Sequence, residues 1–154
     1  MNLGARLARV SFWVGSAGLL GAMLIDSAAV LGRHLGVPLL GSIELVQACI
    51  VWMASASLVG TTLERGHASV HILTERLAAP RRAALRRAAD LASALFFAFI
   101  AVGSGWLLLD LWHGAEQSEL LGIPIAPLRV LWCASAAGVV ASFTAQALAR
   151  QSRT

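Results

Sequence analysis

Residues 42–77 read "SIELVQACIVWMASASLVGTTLERGHASVHILTERL". The first part, Ser42 to Leu63, is an apolar run long enough to cross a hydrocarbon core of about 30 Å as one helix. The remainder breaks that run with charge and with two histidines four residues apart, His67 and His71. A spanning helix that turns onto the membrane surface accounts for both parts. The surrounding sequence extends the pattern, with further spans expected over Val10–Leu31, Ala88–Trp112 and Leu128–Leu148. No strand-like alternation competes with them.

Composition agrees. Hydrophobic residues make up 58% of the 154 and charged residues 13%, against about 25% charged in a typical soluble domain. The expected fold class is an all-α integral membrane protein of four transmembrane helices, a single membrane domain over residues 1–154. The first span is preceded by Arg6 and Arg9 and followed by "DSAAVLG", so a signal peptide must be weighed. Its apolar stretch exceeds the usual h-region of about 7 to 15 residues, and an uncleaved helix is expected.

All twelve basic residues are arginine, and they outnumber eight acids. They flank the apolar runs and form no stripe with interleaved aromatics, so lipid headgroups are the expected counter-charge and nucleic acid is not. Arg6 and Arg9, the six arginines from Arg65 to Arg87, and Arg150 and Arg153 lie on one side; Arg33 and Arg129 lie on the other. The excess of Lys and Arg marks the cytoplasmic side, so both termini are expected in the cytoplasm.

The connection between the second and third spans reads as an amphipathic interfacial elbow over about 66–87. In "RRAALRRAAD" (81–90) the arginine pairs fall on one face, as in helices that lie along headgroups. Pro80 suits a helix start, where its missing N–H costs nothing. The alternative is a solvated loop whose charges only set topology. The other two connections, "GRHLGVPLLG" (32–41) and "HGAEQSELLGIPIAP" (113–127), carry proline and glycine as turn signals.

Ionisable groups within a span cost about 2.5 to 3.5 kcal/mol each at mid-membrane. Asp26, Glu44, Asp90 and Asp110 all lie nearer a helix end than the midplane, which argues against a proton relay. Glu44, Gln47, Val51, Ser55, Leu58 and Thr62 recur on one helical face. A polar stripe on a membrane helix faces protein, either inside this chain or on another subunit. Small residues four apart, such as Ala17 with Gly21, Ala134 with Gly138, and Ala137 with Ala141, permit close helix approach.

His67 and His71 have the i, i+4 spacing of a zinc pair, but Ala68, Ser69 and Val70 lie between them and supply no glutamate base. No metal site is expected, and His34 and His113 fall at the opposite face, away from any mid-membrane haem position. Cys49 and Cys133 sit inside apolar runs and read as small buried hydrophobes. No nucleophile elbow or phosphate loop appears. Neither a cofactor nor an enzymatic activity is expected.

With these residues placed, the chain resembles the DctQ-like family, the small membrane subunits of tripartite ATP-independent periplasmic (TRAP) transporters. The resemblance rests on Glu44 opening helix 2, Trp52 in its middle, Arg65, Gly66 and His67 at its end, Val70 in the elbow, and "SELLGIP" (118–124) entering helix 4. It covers essentially the whole chain. One departure is His71, where the family usually has Asp.

The resemblance implies a scaffold subunit in the bacterial inner membrane, serving a secondary transporter that imports organic acids such as dicarboxylates on an ion gradient, typically sodium. It implies two protein partners: a large DctM-like membrane subunit that holds the substrate and ion sites, and a periplasmic substrate-binding protein. Glu44, Gln47, Trp52, Ser55, Arg65, His67 and His71 are then candidates for the subunit interface or the membrane surface. Leu121, Ile123 and Pro124 are candidates for contact with the binding protein. By helix count alone two alternatives stand beside it. One is a stand-alone four-helix multidrug-type exporter, although helix 1 carries only Asp26 as an acid; the other is the membrane anchor of a respiratory complex.

Overall fold

The computed structural model describes residues 3–64, 78–114 and 116–149. They form four helices, α1 (Leu3–His34), α2 (Ser42–Leu63), α3 (Ala79–Asp110) and α4 (Ala126–Ala149). Each is long and apolar enough to cross a membrane. Among the described residues there is no β-strand, and a bridge pairs Gln117 with Pro124.

Helix α2 has the bounds expected from its apolar run, whereas α1 and α3 are longer, 32 residues each. At 1.5 Å per residue that is about 48 Å, well beyond a hydrocarbon core of about 30 Å. The last part of the expected elbow, about 66–87, overlaps the start of α3. Residues 79–87 are the opening turns of α3 itself, with Pro80 in its first turn and no break where the apolar run begins. Ala, Leu and Arg are all strong helix formers, so nothing in "RRAALRRAAD" ends the helix at the membrane surface. The rest of the expected elbow, 66–77, lies outside the described residues.

Helix α1 stops for a local reason. Gly36 takes φ +78°, the left-handed conformation that glycine adopts without a Cβ penalty. Gly36 N–H then donates to the Arg33 carbonyl and Val37 N–H to the Gly32 carbonyl. These two bonds satisfy carbonyls left over at the helix end. Pro38 follows, where the chain has already left the helix.

The helices stand in a row. Helix α1 packs on α2, α2 on α4, and α4 on α3; among the described residues no other pair of helices brings its backbones close together. The most apolar 18-residue windows are accordingly only 6 to 22% buried, so the described residues lack the enclosed interior of a closed four-helix bundle. Where α2, α3 and α4 converge, Ala94, Val139 and Phe143 are buried, with Leu58, Val59 and Phe97 packed against them. The Phe97 and Phe143 rings stack with centroids 6.0 Å apart.

Seams between membrane helices are held by close packing and by hydrogen bonds, because lipid tails are as apolar as leucine. At the α1–α2 seam glycine supplies the closeness. A Cβ on Gly15 would lie 2.9 Å from Ser57 Oγ, and one on Gly18 would lie 3.0 Å from both the Cys49 carbonyl oxygen and the Met53 nitrogen. From the α2 side, Gly60 approaches Ser11 in the same way, at 3.2 Å. The small-residue pairs expected from spacing are partly misplaced: Gly21 is at this seam, but Ala17, Ala134, Ala137 and Ala141 are exposed. On α4 the buried positions are instead Ser135, Ala136, Val139, Phe143 and Ala147. Polar bonds join the other seams: Trp132 Nε1 donates to Ser104 Oγ at 3.1 Å between α4 and α3, and Gln146 Nε2 to the Thr62 carbonyl at 3.3 Å between α4 and α2.

Candidate functional site

The densest polar construction among the described residues lies at the end of the row where α2 and α4 begin. It starts from Gly41, the N-cap of α2, whose φ is +75°. Its carbonyl accepts from Glu44 N–H at 3.1 Å and from Leu45 N–H at 3.2 Å. Glu44 is thus the third residue of the helix. There a glutamate commonly folds back onto its own N-cap N–H. Here the side chain reaches across the sequence instead: its two carboxylate oxygens accept from Leu120 N–H at 2.7 Å and from Leu121 N–H at 2.8 Å. A carboxylate in the first turn of a helix also sits favourably in the helix dipole.

The segment it holds is a narrow turn. Ser118 N–H donates to the Ile123 carbonyl at 2.9 Å, and Ile125 N–H to the Glu116 carbonyl at 3.1 Å. Ile123 N–H donates back to Ser118 Oγ at 3.0 Å, and Gly122, with φ +63°, closes the tip by donating to the Ser118 carbonyl. Those bonds leave the N–H groups of Leu120 and Leu121 at the tip, where Glu44 takes both. The Leu121 side chain lies over Gly41, so the turn before α4 rests on the start of α2. An ion pair of 2.7 Å between Arg129 and Glu116 ties the base of the turn to the first turn of α4.

Beneath the turn, α2 and α4 border a groove of about 270 Å³, lined by apolar Val51, Ile123 and Leu128 with Glu44, Gln47 and Arg129 among its polar groups. Carboxylate, guanidinium and amide thus stand at one end of an apolar cleft. The arrangement holds helices and a turn in register: Glu44 binds the backbone of the turn and Arg129 pairs with Glu116.

The structure brings together residues that the sequence presented as two groups. Glu44 binds the backbone of Leu121, and Ile123 shares the groove with Gln47. Pro124 is exposed and pairs with Gln117. Ser55 is 1% exposed and its Oγ has no hydrogen-bond partner among the described residues. Trp52 is 51% exposed. Arg65, His67 and His71 lie outside the described residues. Sequence reasoning did not single out Gly41, Ser118 or the Glu116–Arg129 pair. A glycine directly before a helix start, and opposite charges either side of "GIP", were the available signals.

No curated protein and no solved structure matches the chain. A family model does: that of tripartite ATP-independent periplasmic transporters, DctQ component, over residues 22–154. The matched stretch contains Glu44 and the whole 116–125 turn. This is a family of transporter components and not of enzymes. The chain belongs to it: it is a DctQ component of the tripartite ATP-independent periplasmic transporters.

Proposed function

We propose that this DctQ component acts as the static scaffold of a three-part importer of organic acids, such as dicarboxylates, in the bacterial inner membrane. The transport path and the ion sites belong to a large DctM-like subunit, uptake is driven by a sodium gradient, and a periplasmic binding protein delivers the substrate. Both termini lie in the cytoplasm. Arg65, His67 and His71 then mark the inner surface, and the 116–125 turn, with Leu121, Ile123 and Pro124, faces the periplasm and meets the binding protein.

The observation that carries this reading is the open row of helices. Four membrane-length helices whose windows are at most 22% buried leave most of their surface for lipid or for another subunit. Gln47 is exposed on α2, and a polar group on a membrane helix is favoured against protein over lipid.

The test is reconstitution of the three purified proteins in liposomes, with a panel of radiolabelled mono- and dicarboxylates and an imposed sodium gradient. Uptake of at least one of them is expected when all three are present, with loss to background when the DctQ component is omitted. Undiminished uptake without it would overturn the scaffold role.

A further inference from the structure

We infer that Glu44 is a positioning residue, one that holds the 116–125 turn in a preformed shape and fixes that turn to the start of α2. Three observations converge. Both carboxylate oxygens are engaged within the chain, on adjacent backbone N–H groups 76 and 77 residues away. The turn has its own ladder, with Ser118 paired to Ile123 and Glu116 to Ile125, but that ladder ends below the tip, and Leu120 and Leu121 depend on Glu44. The Leu121 side chain also sits on Gly41, three residues before Glu44, so the backbone bonds and the side-chain contact hold the same two elements together.

The chemistry is selective. A carboxylate is acceptor-only and presents two oxygens side by side, which suits two successive N–H groups that point the same way. Glutamine offers one oxygen and places a donor against the second N–H. Alanine leaves both N–H groups to water. Charge-assisted bonds to backbone N–H are among the stronger hydrogen bonds, so the tip of the turn is held more firmly than its own backbone ladder provides.

The consequence for transport rests on the proposed contact between this turn and the binding protein. A docking element fixed beforehand does not pay its ordering entropy on binding. Loss of Glu44 therefore weakens docking and leaves the translocation step intact.

Two readouts on the assembled complex separate the parts. Hydrogen–deuterium exchange of the 116–125 peptide is expected to be faster in Glu44→Ala, and to be intermediate in Glu44→Gln. In uptake titrated with binding protein, Glu44→Ala is expected to raise the half-saturating concentration roughly tenfold, the kind of loss that follows from removing preorganisation, with the maximal rate unchanged. Unchanged exchange in both variants would overturn the positioning role. Faster exchange with an unchanged titration would uphold it and instead sink the contact between turn and binding protein. A Glu44→Ala complex that falls apart is replaced by Glu44→Gln, for which faster exchange is still required.

Discussion

Gly18→Leu is expected to leave the chain unable to pack α1 on α2, with its accumulation in membranes falling severalfold and the purified remainder becoming polydisperse. The reason is what a side chain at this position would strike. A Cβ on Gly18 already lies 3.0 Å from the Cys49 carbonyl oxygen and from the Met53 nitrogen, and 3.2 Å from Met53 Cβ. Two of these three are backbone atoms of α2, which no rotamer change can move. Overpacking a well-filled site typically costs about 1 to 3 kcal/mol, and here relief requires separating the helices along a seam that depends on closeness. Gly18→Ala should show a smaller loss in the same direction. Gly103→Leu on α3 is the matched control, because a Cβ there meets nothing within 4 Å. It is expected to be neutral or slightly stabilising, since glycine is about 1 kcal/mol worse than alanine inside a helix. Accumulation of a fluorescent fusion and its size-exclusion profile compare the three. Equal behaviour of Gly18→Leu and Gly103→Leu would refute the close seam.

The second large effect is expected at Gly41. Its φ of +75° disfavours any side chain, and a Cβ would lie 2.5 Å from Leu121 Cγ and 2.9 Å from both Leu121 methyl groups. Left-handed backbone costs an L-residue roughly 1 to 2 kcal/mol, and more for a β-branched one. Gly41→Ala should therefore lower thermal stability through two separable causes. In a Leu121→Ala background the collision disappears and the conformational cost remains, so a double-mutant cycle should return a favourable coupling between the two positions. Additive losses would mean that Leu121 does not rest on Gly41. Gly41→Val should be worse than Gly41→Ala in either background.

Hydropathy located all four spans, because an apolar run of that length has few other uses, and it set both ends of α2 correctly. It did not set the ends of α1 or α3. The boundary between lipid and headgroup is not a boundary for backbone hydrogen bonding, and the arginines near the starts of these helices are good helix formers with stems long enough to reach water. The glycine seam was hidden for a different reason. In a chain rich in alanine and glycine, spacing alone does not say which small residues face a neighbour, and Gly103 and Gly105, where a Cβ would meet nothing within 4 Å, look no different in sequence from Gly15 and Gly18.

The Glu44 clamp was half legible. Both partners stood out, Glu44 as a charge at a helix start and "SELLGIP" as a turn, but no periodicity links residues so far apart. The order of the row, with α4 between α2 and α3, was equally beyond reach, since it depends on which seams close and not on where each span begins.

The central claim is that this chain is one part of a larger assembly. Its most direct test is to purify the tagged chain from its native membranes in mild detergent and to identify by mass spectrometry what remains bound. One large polytopic membrane protein in equimolar amount is the predicted result. Recovery of the chain alone or only with copies of itself, together with proton-coupled export by that material in liposomes, would contradict the account and establish an autonomous small transporter.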